Sequence, residues 1–358
     1  MRKKTKYLLT GAAIGSAVAV ALDVLMQLAE CMKEGKPFSW ENFNGRRTLK
    51  AAAIGGGIGT GIGAISYHFS REEDRQTVFD SNDYLSEVLR EESIKSDPGL
   101  LNKVLQYRTR MKEWLANEFG DLLVTEPLDN GSFYKRTANR SNFDLDITLV
   151  FAKKTRMTLA QIFEMSFESL KKKFGDVAVI KRRTRVISVE FTAGSEVIKF
   201  DIVPARERGN FKKDAEVTLY VQPEWFWQEG SSFKTNLDRQ RSATRNKPEA
   251  RRAIRLLKAY RDRNNLDIPT VMIEQCCIDA LSKNKFGTEW SDKENLLNAM
   301  DTLAARLQQK QIIDVSNTNN NLVDKVSEME RLSASQLLYS DIEEIEKDPR
   351  YLKEIFEI

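Results

Sequence analysis

The chain has 358 residues, 41% of them apolar and 30% charged, which is the composition of a folded protein with one large core or two ordinary ones. Its 56 lysines and arginines nearly balance 52 aspartates and glutamates, and a formal charge of +4 gives little overall steering toward nucleic acid, so any basic footprint must be local. One histidine, His68, and three cysteines without CxxC spacing, Cys31, Cys276 and Cys277, exclude zinc, Ser-His-Asp and Cys-His chemistry for want of material and point to a reducing, cytoplasmic setting; an enzyme here must work with carboxylates, lysines and hydroxyls.

Residues 1–70 read as a glycine-rich apolar helical hairpin: one arm from Tyr7 to about Leu22, a polar connection, and a second arm from Ala51 to Phe69. Gly55, Gly59 and Gly63 recur at every fourth position, with Gly11 and Gly15 as a matching notch on the first arm; this spacing favours close helix approach, at a cost of about 1 kcal/mol per glycine. Each arm is near the roughly 20 residues that span a bilayer, yet Asp23 and Gln27 shorten the first, so two readings stand: attachment to the inner membrane, or self-association through residues 7–69.

Residues 71–100 form a charged linker containing a short helix. A catalytic core is expected over 101–215: a long helix up to Gly120, then short β-branched runs (DLDITLVF, DVAVIKRR, RVISVEF, EVIKFDIVPA) around an amphipathic helix at 158–174. Residues 216–358 are expected to be a helical lobe, with the asparagine-rich stretch 317–321 as a polar loop. The fold class is α+β, a mixed sheet with flanking helices and an α-helical C-terminal lobe.

Asp144 and Asp146 are two apart, so on a strand both carboxylates point to one face, and Asp201, in a hydrophobic strand ending at Pro204, is the candidate third member. A carboxylate buried among FDIV costs several kcal/mol without a cation, and hard Mg²⁺ takes a few carboxylates while substrate phosphates and water complete its shell. Two such ions, Mg²⁺ or alternatively Mn²⁺, suit phosphoryl chemistry. Gly131 lets the backbone approach a phosphate and Ser132 supplies a hydroxyl. Lys181, Arg182, Arg183 and Arg185, with Arg239, Arg241, Arg245, Arg251 and Arg252, are candidates for a groove that holds phosphates or an oligonucleotide product, set against the plainer reading of solvated faces.

NGSFYKRT (130–137), FDLDITLVF (143–151), KFDIVPA (199–205), RRAIRLLKAYRDRN (251–264), IPTVMIE (268–274) and NTNNNL (317–322) together resemble the polymerase-β-like nucleotidyltransferases, and within them the bacterial cGAS/DncV-like enzymes, the CD-NTases. The resemblance spans roughly residues 100–340. It implies an enzyme of the EC 2.7.7 type that joins nucleoside triphosphates into a cyclic or short linear second messenger in anti-phage signalling, with an effector protein downstream. It implies further that Lys258 faces the donor triphosphate, that Thr270 stands where the family carries a serine near those phosphates, and that Tyr134 stacks on a base. Arg136 departs from the family pattern, which has a glycine at this place. Synthesis of longer oligonucleotides, transfer onto RNA or protein, and a nucleotide-binding scaffold are the competing readings.

Overall fold

The computed structural model describes residues 79–358, apart from 195, 224–228 and 283–289. The glycine-rich hairpin over 1–70 and residues 71–78 of the linker lie outside the described residues. No described helix is long and apolar enough to cross a membrane. The chain divides into two compact units. One is Ser81–Lys347; the described part of the other is residues 79–80 and Asp348–Glu357, where an Asp348-capped 3₁₀ turn leads into a single helical turn at Leu352–Ile355.

Within the larger unit, α1 (Ser81–Glu91) is the helix expected inside the linker, and it packs against the helical layer described below. α2 (Pro98–Phe119) starts where the Asp97 carboxylate accepts from the Leu100 N–H and Pro98 fills the first turn, which needs no amide donor. Then come β1 (Leu128–Asn130), the short α3 (Gly131–Lys135) and β2 (Leu145–Phe151). α4 (Leu159–Phe174) is set by a capping box between Thr158 and Gln161. β3 (Ala178–Arg182), β4 (Ile187–Ala193) and the long β5 (Glu196–Glu207) follow.

The strands order β1-β2-β5-β4-β3, with β2 and β5 parallel and the other pairs antiparallel. Alternation decides the faces. Leu145, Ile147, Leu149 and Phe151 of β2 and Ile198, Phe200 and Ile202 of β5 point into a core closed by Met111 and Leu115 of α2 and Phe163 and Phe167 of α4. The other residues of both strands, Asp146 and Asp201 among them, are left for the opposite face.

The sheet extends past residue 215, the expected limit of the core. After the single turn α5 (Phe211–Asp214), β6 (Glu216–Val221) pairs with the end of β5, and β7 (Ser231–Asn236) pairs with β6. β5 also runs beyond Pro204 to Glu207. Its edge is paired with β4 up to Ile202 and with β6 from Ala205, so proline falls in the gap between two partners, where a missing N–H is tolerated.

The helical layer comprises α6 (Leu237–Ser242), α7 (Pro248–Arg263), α8 (Thr270–Ser282), α9 (Asp292–Leu307, with a Ser291–Glu294 capping box) and α10 (Glu328–Lys347). Leu257, Ile273, Met300 and Leu338 are buried in it, and the Tyr260 hydroxyl donates to Asp341 at 2.7 Å. Cys276 and Cys277 are buried free thiols, and burial pushes Cys276 up to about 12. The asparagine-rich stretch is not a loop: β9 (Asn317–Asn321) pairs with β8 (Ile313–Asp314). Side chains close this small hairpin, since Asp314 accepts from the Ser316 amide at 2.8 Å and from Asn320 at 2.9 Å, and Asn321 accepts from the Ile312 amide at 2.9 Å.

Candidate functional site

The start of one strand and the middle of its parallel neighbour bring the three aspartates together. Asp144 immediately precedes β2, Asp146 is its second residue, and in the parallel register Asp146 lies directly beside Asp201 of β5. Neighbouring strands are about 4.8 Å apart, so the two carboxylates stand side by side on the face that the core leaves open. The Lys199 ammonium, on the same face of β5, sits 2.8 Å from Asp144 Oδ2 and 3.8 Å from Asp201 Oδ1.

The electrostatics are those of crowded acids. Burial, and then the charges of Asp201 and Asp144, push Asp146 up to about 7. Burial raises Asp201 as well, against the pull of Lys199. Asp201 Oδ1 is buried and has no hydrogen-bond partner among the described residues. An orphaned carboxylate oxygen beside two further carboxylates is a fit for divalent cations, which would relieve both the repulsion and the desolvation. Among the described residues no group of three or more His, Cys, Asp or Glu side chains stands positioned to hold a metal ion by itself. The aspartates form an open set, of the kind that hard Mg²⁺ completes with phosphate and water.

The Gly131 turn abuts this set. Gly131 has φ 65°, and a Cβ there would lie 1.7 Å from Asp146 Oδ2, so only glycine lets the turn come this close. Gly131→Ala is expected to cost more than about 1 kcal/mol of stability and, by displacing the Asp146 carboxylate, at least about 100-fold in turnover; melting curves and initial rates check it. Arg136 closes the same turn with φ 60°. It therefore holds the left-handed conformation that glycine adopts without strain, at a cost of about 1–2 kcal/mol.

Asp144 and Asp146 open onto a cleft of about 390 Å³. Gly131, Ser132, Asp144 and Asp146 line one wall, Lys258, Arg261, Thr270 and Glu274 another, and Arg239, Gln240 and residues 314–316 a third. Lys258 is buried, which pushes its ammonium down to about 8 despite the nearby Glu274 charge, and it donates to the Thr137 carbonyl at 3.0 Å. The Thr270 hydroxyl accepts from Arg261 Nη1 at 2.8 Å, and Glu274 pairs with Lys135.

Asp201 is not among the residues that line the cleft. Tyr134 is not a lining residue either; its half-exposed ring lies under the Arg241 guanidinium, 4.3 Å away. Of the arginines and lysines considered for a basic groove, Arg239 lines the cleft. Lys181 and Arg183 pair with Glu190, Arg182 with Glu164 and Glu168, and Arg252 with Asp292, while Arg185 stacks on Phe233 at 4.1 Å.

Lys135, Lys199, Arg261 and Glu274 escaped the sequence reading. Two of them carried a usable signal. Lys199 is two residues before Asp201, the same-face spacing that singles out Asp144 and Asp146, and Glu274 is one helical turn after Thr270.

No protein-family model matches the sequence, and no curated protein matches it. Solved structures do match. The structure of E. coli MS115-1 CdnC with ATP is 19% identical, with a TM-score of 0.59 over 77% of this chain and 97% of that one. The Bradyrhizobium diazoefficiens CD-NTase CdnG in complex with GTP is 15% identical, with a TM-score of 0.59 over 77% and 95%. The Elizabethkingia meningoseptica CdnE cyclic dinucleotide synthase, solved with GTP and Apcpp, is 16% identical, with a TM-score of 0.52 over 74% and 98%. At such identities the likeness is one of architecture, and this chain has the cGAS/DncV-like nucleotidyltransferase fold.

Proposed function

We propose that the chain is a template-independent nucleotidyltransferase that makes a cyclic or short linear nucleotide second messenger from nucleoside triphosphates, with Asp144, Asp146 and Asp201 as the ligands of two Mg²⁺ or Mn²⁺ ions. The observation that carries this reading is the parallel register that sets Asp201 beside Asp146, which with Asp144 lines a cleft whose other walls present Lys258, Arg261 and Arg239. Similar structures were solved with ATP or GTP, which supports triphosphates as substrates.

Bound ions would lower the pKa of the attacking hydroxyl and neutralise charge on the departing pyrophosphate. The remaining work falls to the chain. Gly131 and Ser132 approach the donor phosphates, Lys258 and Arg261 offset their charge from the helical wall, and Thr270 keeps Arg261 aimed at the cleft. An acceptor hydroxyl oxygen forms a bond to the α-phosphorus, the bond to the β-phosphate bridge breaks, pyrophosphate leaves, and the hydroxyl proton passes to water. Tyr134 and Arg241 form an aromatic–guanidinium pair beside the Gly131 turn, where a base can stack. We place the product in anti-phage signalling through an effector protein, in the cytoplasm, with residues 7–69 as the segment for membrane attachment or self-association.

The test is incubation of the purified chain with labelled nucleoside triphosphates and Mg²⁺, with products identified by mass spectrometry before and after phosphatase. Expected are cyclic products that phosphatase leaves unchanged, or short linear ones that lose only their terminal phosphates, with pyrophosphate release in either case. A long ladder, or label on RNA or protein, would instead favour the competing transferase readings, and no pyrophosphate with any nucleotide would reject them all.

A further inference from the structure

Lys199 occupies a position with two possible partners. On one side its ammonium lies between Asp144 and Asp201, at 2.8 and 3.8 Å. On the other side β4 places Glu190 directly opposite Lys199 in the antiparallel ladder, on the same face. Glu190 is held by Lys181 at 3.1 Å and Arg183 at 3.5 Å, both about half exposed and able to move off into water. An ammonium this close to two of the carboxylates cannot remain there when a dication is bound by the same oxygens, because like charges a few Å apart at a partly buried site repel strongly.

We propose that Lys199 is a tethered counter-ion: it holds Asp144 and Asp201 together in the metal-free protein and passes to Glu190 when divalent ions bind. The proposal rests on the reading of the three aspartates as ion ligands and adds a positioning residue to it. A lysine suits this work better than an arginine would, being a point charge on a flexible stem without a planar fork that fixes its partner. It also explains how two of the crowded acids, Asp144 and Asp201, are kept in place before any ion arrives: a cation of the chain's own substitutes for part of the missing charge. The stored repulsion is then released in a single swing of one side chain across one strand spacing.

The experiment measures Mn²⁺ affinity without nucleotide, by the spectroscopic signal of unbound Mn²⁺, for the wild-type chain, Lys199→Met, Glu190→Gln and Asp144→Asn, with melting temperatures in chelator alongside. Lys199→Met is expected to bind Mn²⁺ about tenfold more tightly, having no ammonium to displace, and to melt lower in chelator. Glu190→Gln is expected to bind several-fold more weakly, since the displaced lysine loses its destination. Wild-type binding that Asp144→Asn abolishes, together with unchanged or weaker binding by Lys199→Met, overturns the proposal and leaves the ion site standing. No Mn²⁺ binding by the wild type, or binding indifferent to Asp144→Asn, overturns both. If Lys199→Met does not fold, Glu190→Gln decides: wild-type affinity in that variant rejects the hand-over.

Discussion

Replacing Asp146 by asparagine is expected to abolish nucleotidyl transfer and, in the absence of metal, to make the protein harder to melt. Both effects have one cause. The folded chain holds this carboxyl at about 7, through burial and two neighbouring acids, whereas the unfolded chain leaves it near 3.8. Between these values the folded state binds the proton more tightly, so the stability of the metal-free protein falls as pH rises from about 4 to 7 and the full penalty is present above 7. A shift of that size corresponds to about 4 kcal/mol, which we discount to about 2 because the carboxyl opens onto the cleft. Asparagine has the same shape without the charge. It should raise the melting temperature in chelator by roughly 4–8 °C at pH 8, with the gap closing toward pH 4, while turnover drops by at least about 1,000-fold. A melting temperature that falls at pH 8 would mean that the carboxylate is a structural partner, not an acid held ready for cations.

Lys258→Met is expected to separate binding from stability in the same manner. Burial lowers this ammonium from 10.5 to about 8, so below pH 8 the folded protein carries a charge that costs it up to about 3 kcal/mol. Methionine removes that cost but leaves the buried Thr137 carbonyl without its donor, a loss of about 1–3 kcal/mol, so near pH 7 the variant should match or slightly exceed the wild type in stability. Between pH 8 and about 10.5 the unfolded wild type binds a proton that the folded protein has released, and the wild type gains relative to the variant. Affinity for a non-hydrolysable triphosphate should fall roughly 10- to 100-fold, as measured calorimetrically, since a charge-assisted contact to phosphate is worth about 1.5–3 kcal/mol. An unchanged triphosphate affinity would make Lys258 a tie between α7 and the Thr137 turn and nothing more.

What could be read in advance follows from which residues state their surroundings unambiguously. DLDITLVF and KFDIVPA do, because acids placed between β-branched residues define two faces by alternation, and the register of two parallel strands then does the rest. The caps at Asp97, Thr158 and Ser291 carry a local signal of the same kind, one that the sequence expectations did not use. β6 and β7 did not: EVTLYV and SSFKTN are short, half polar and at the margin of the sheet, where solvent exposure blurs the alternation. The asparagine hairpin was misread for a related reason. Asparagine favours turns when its side chain bonds to its own backbone, but here Asn320 and Asn321 reach across the hairpin to Asp314 and Ile312. Lys199 and Glu274 went unremarked because Asp144 and Lys135, with which they pair, are distant in sequence, and only the folded sheet and helices bring them together.

β5 sets how far the proposed ion site can adapt to ions of different radius. Asp201 lies within this long strand, with Asp146 beside it on β2 and Ser188 on β4, so its backbone is fixed from both flanks. Asp144 precedes the first paired residue of β2 and has no such restraint. In the proposed ion site, latitude for a larger or smaller ion therefore resides almost wholly in one aspartate, just before the first paired residue of a strand, while the other two set a constant gauge.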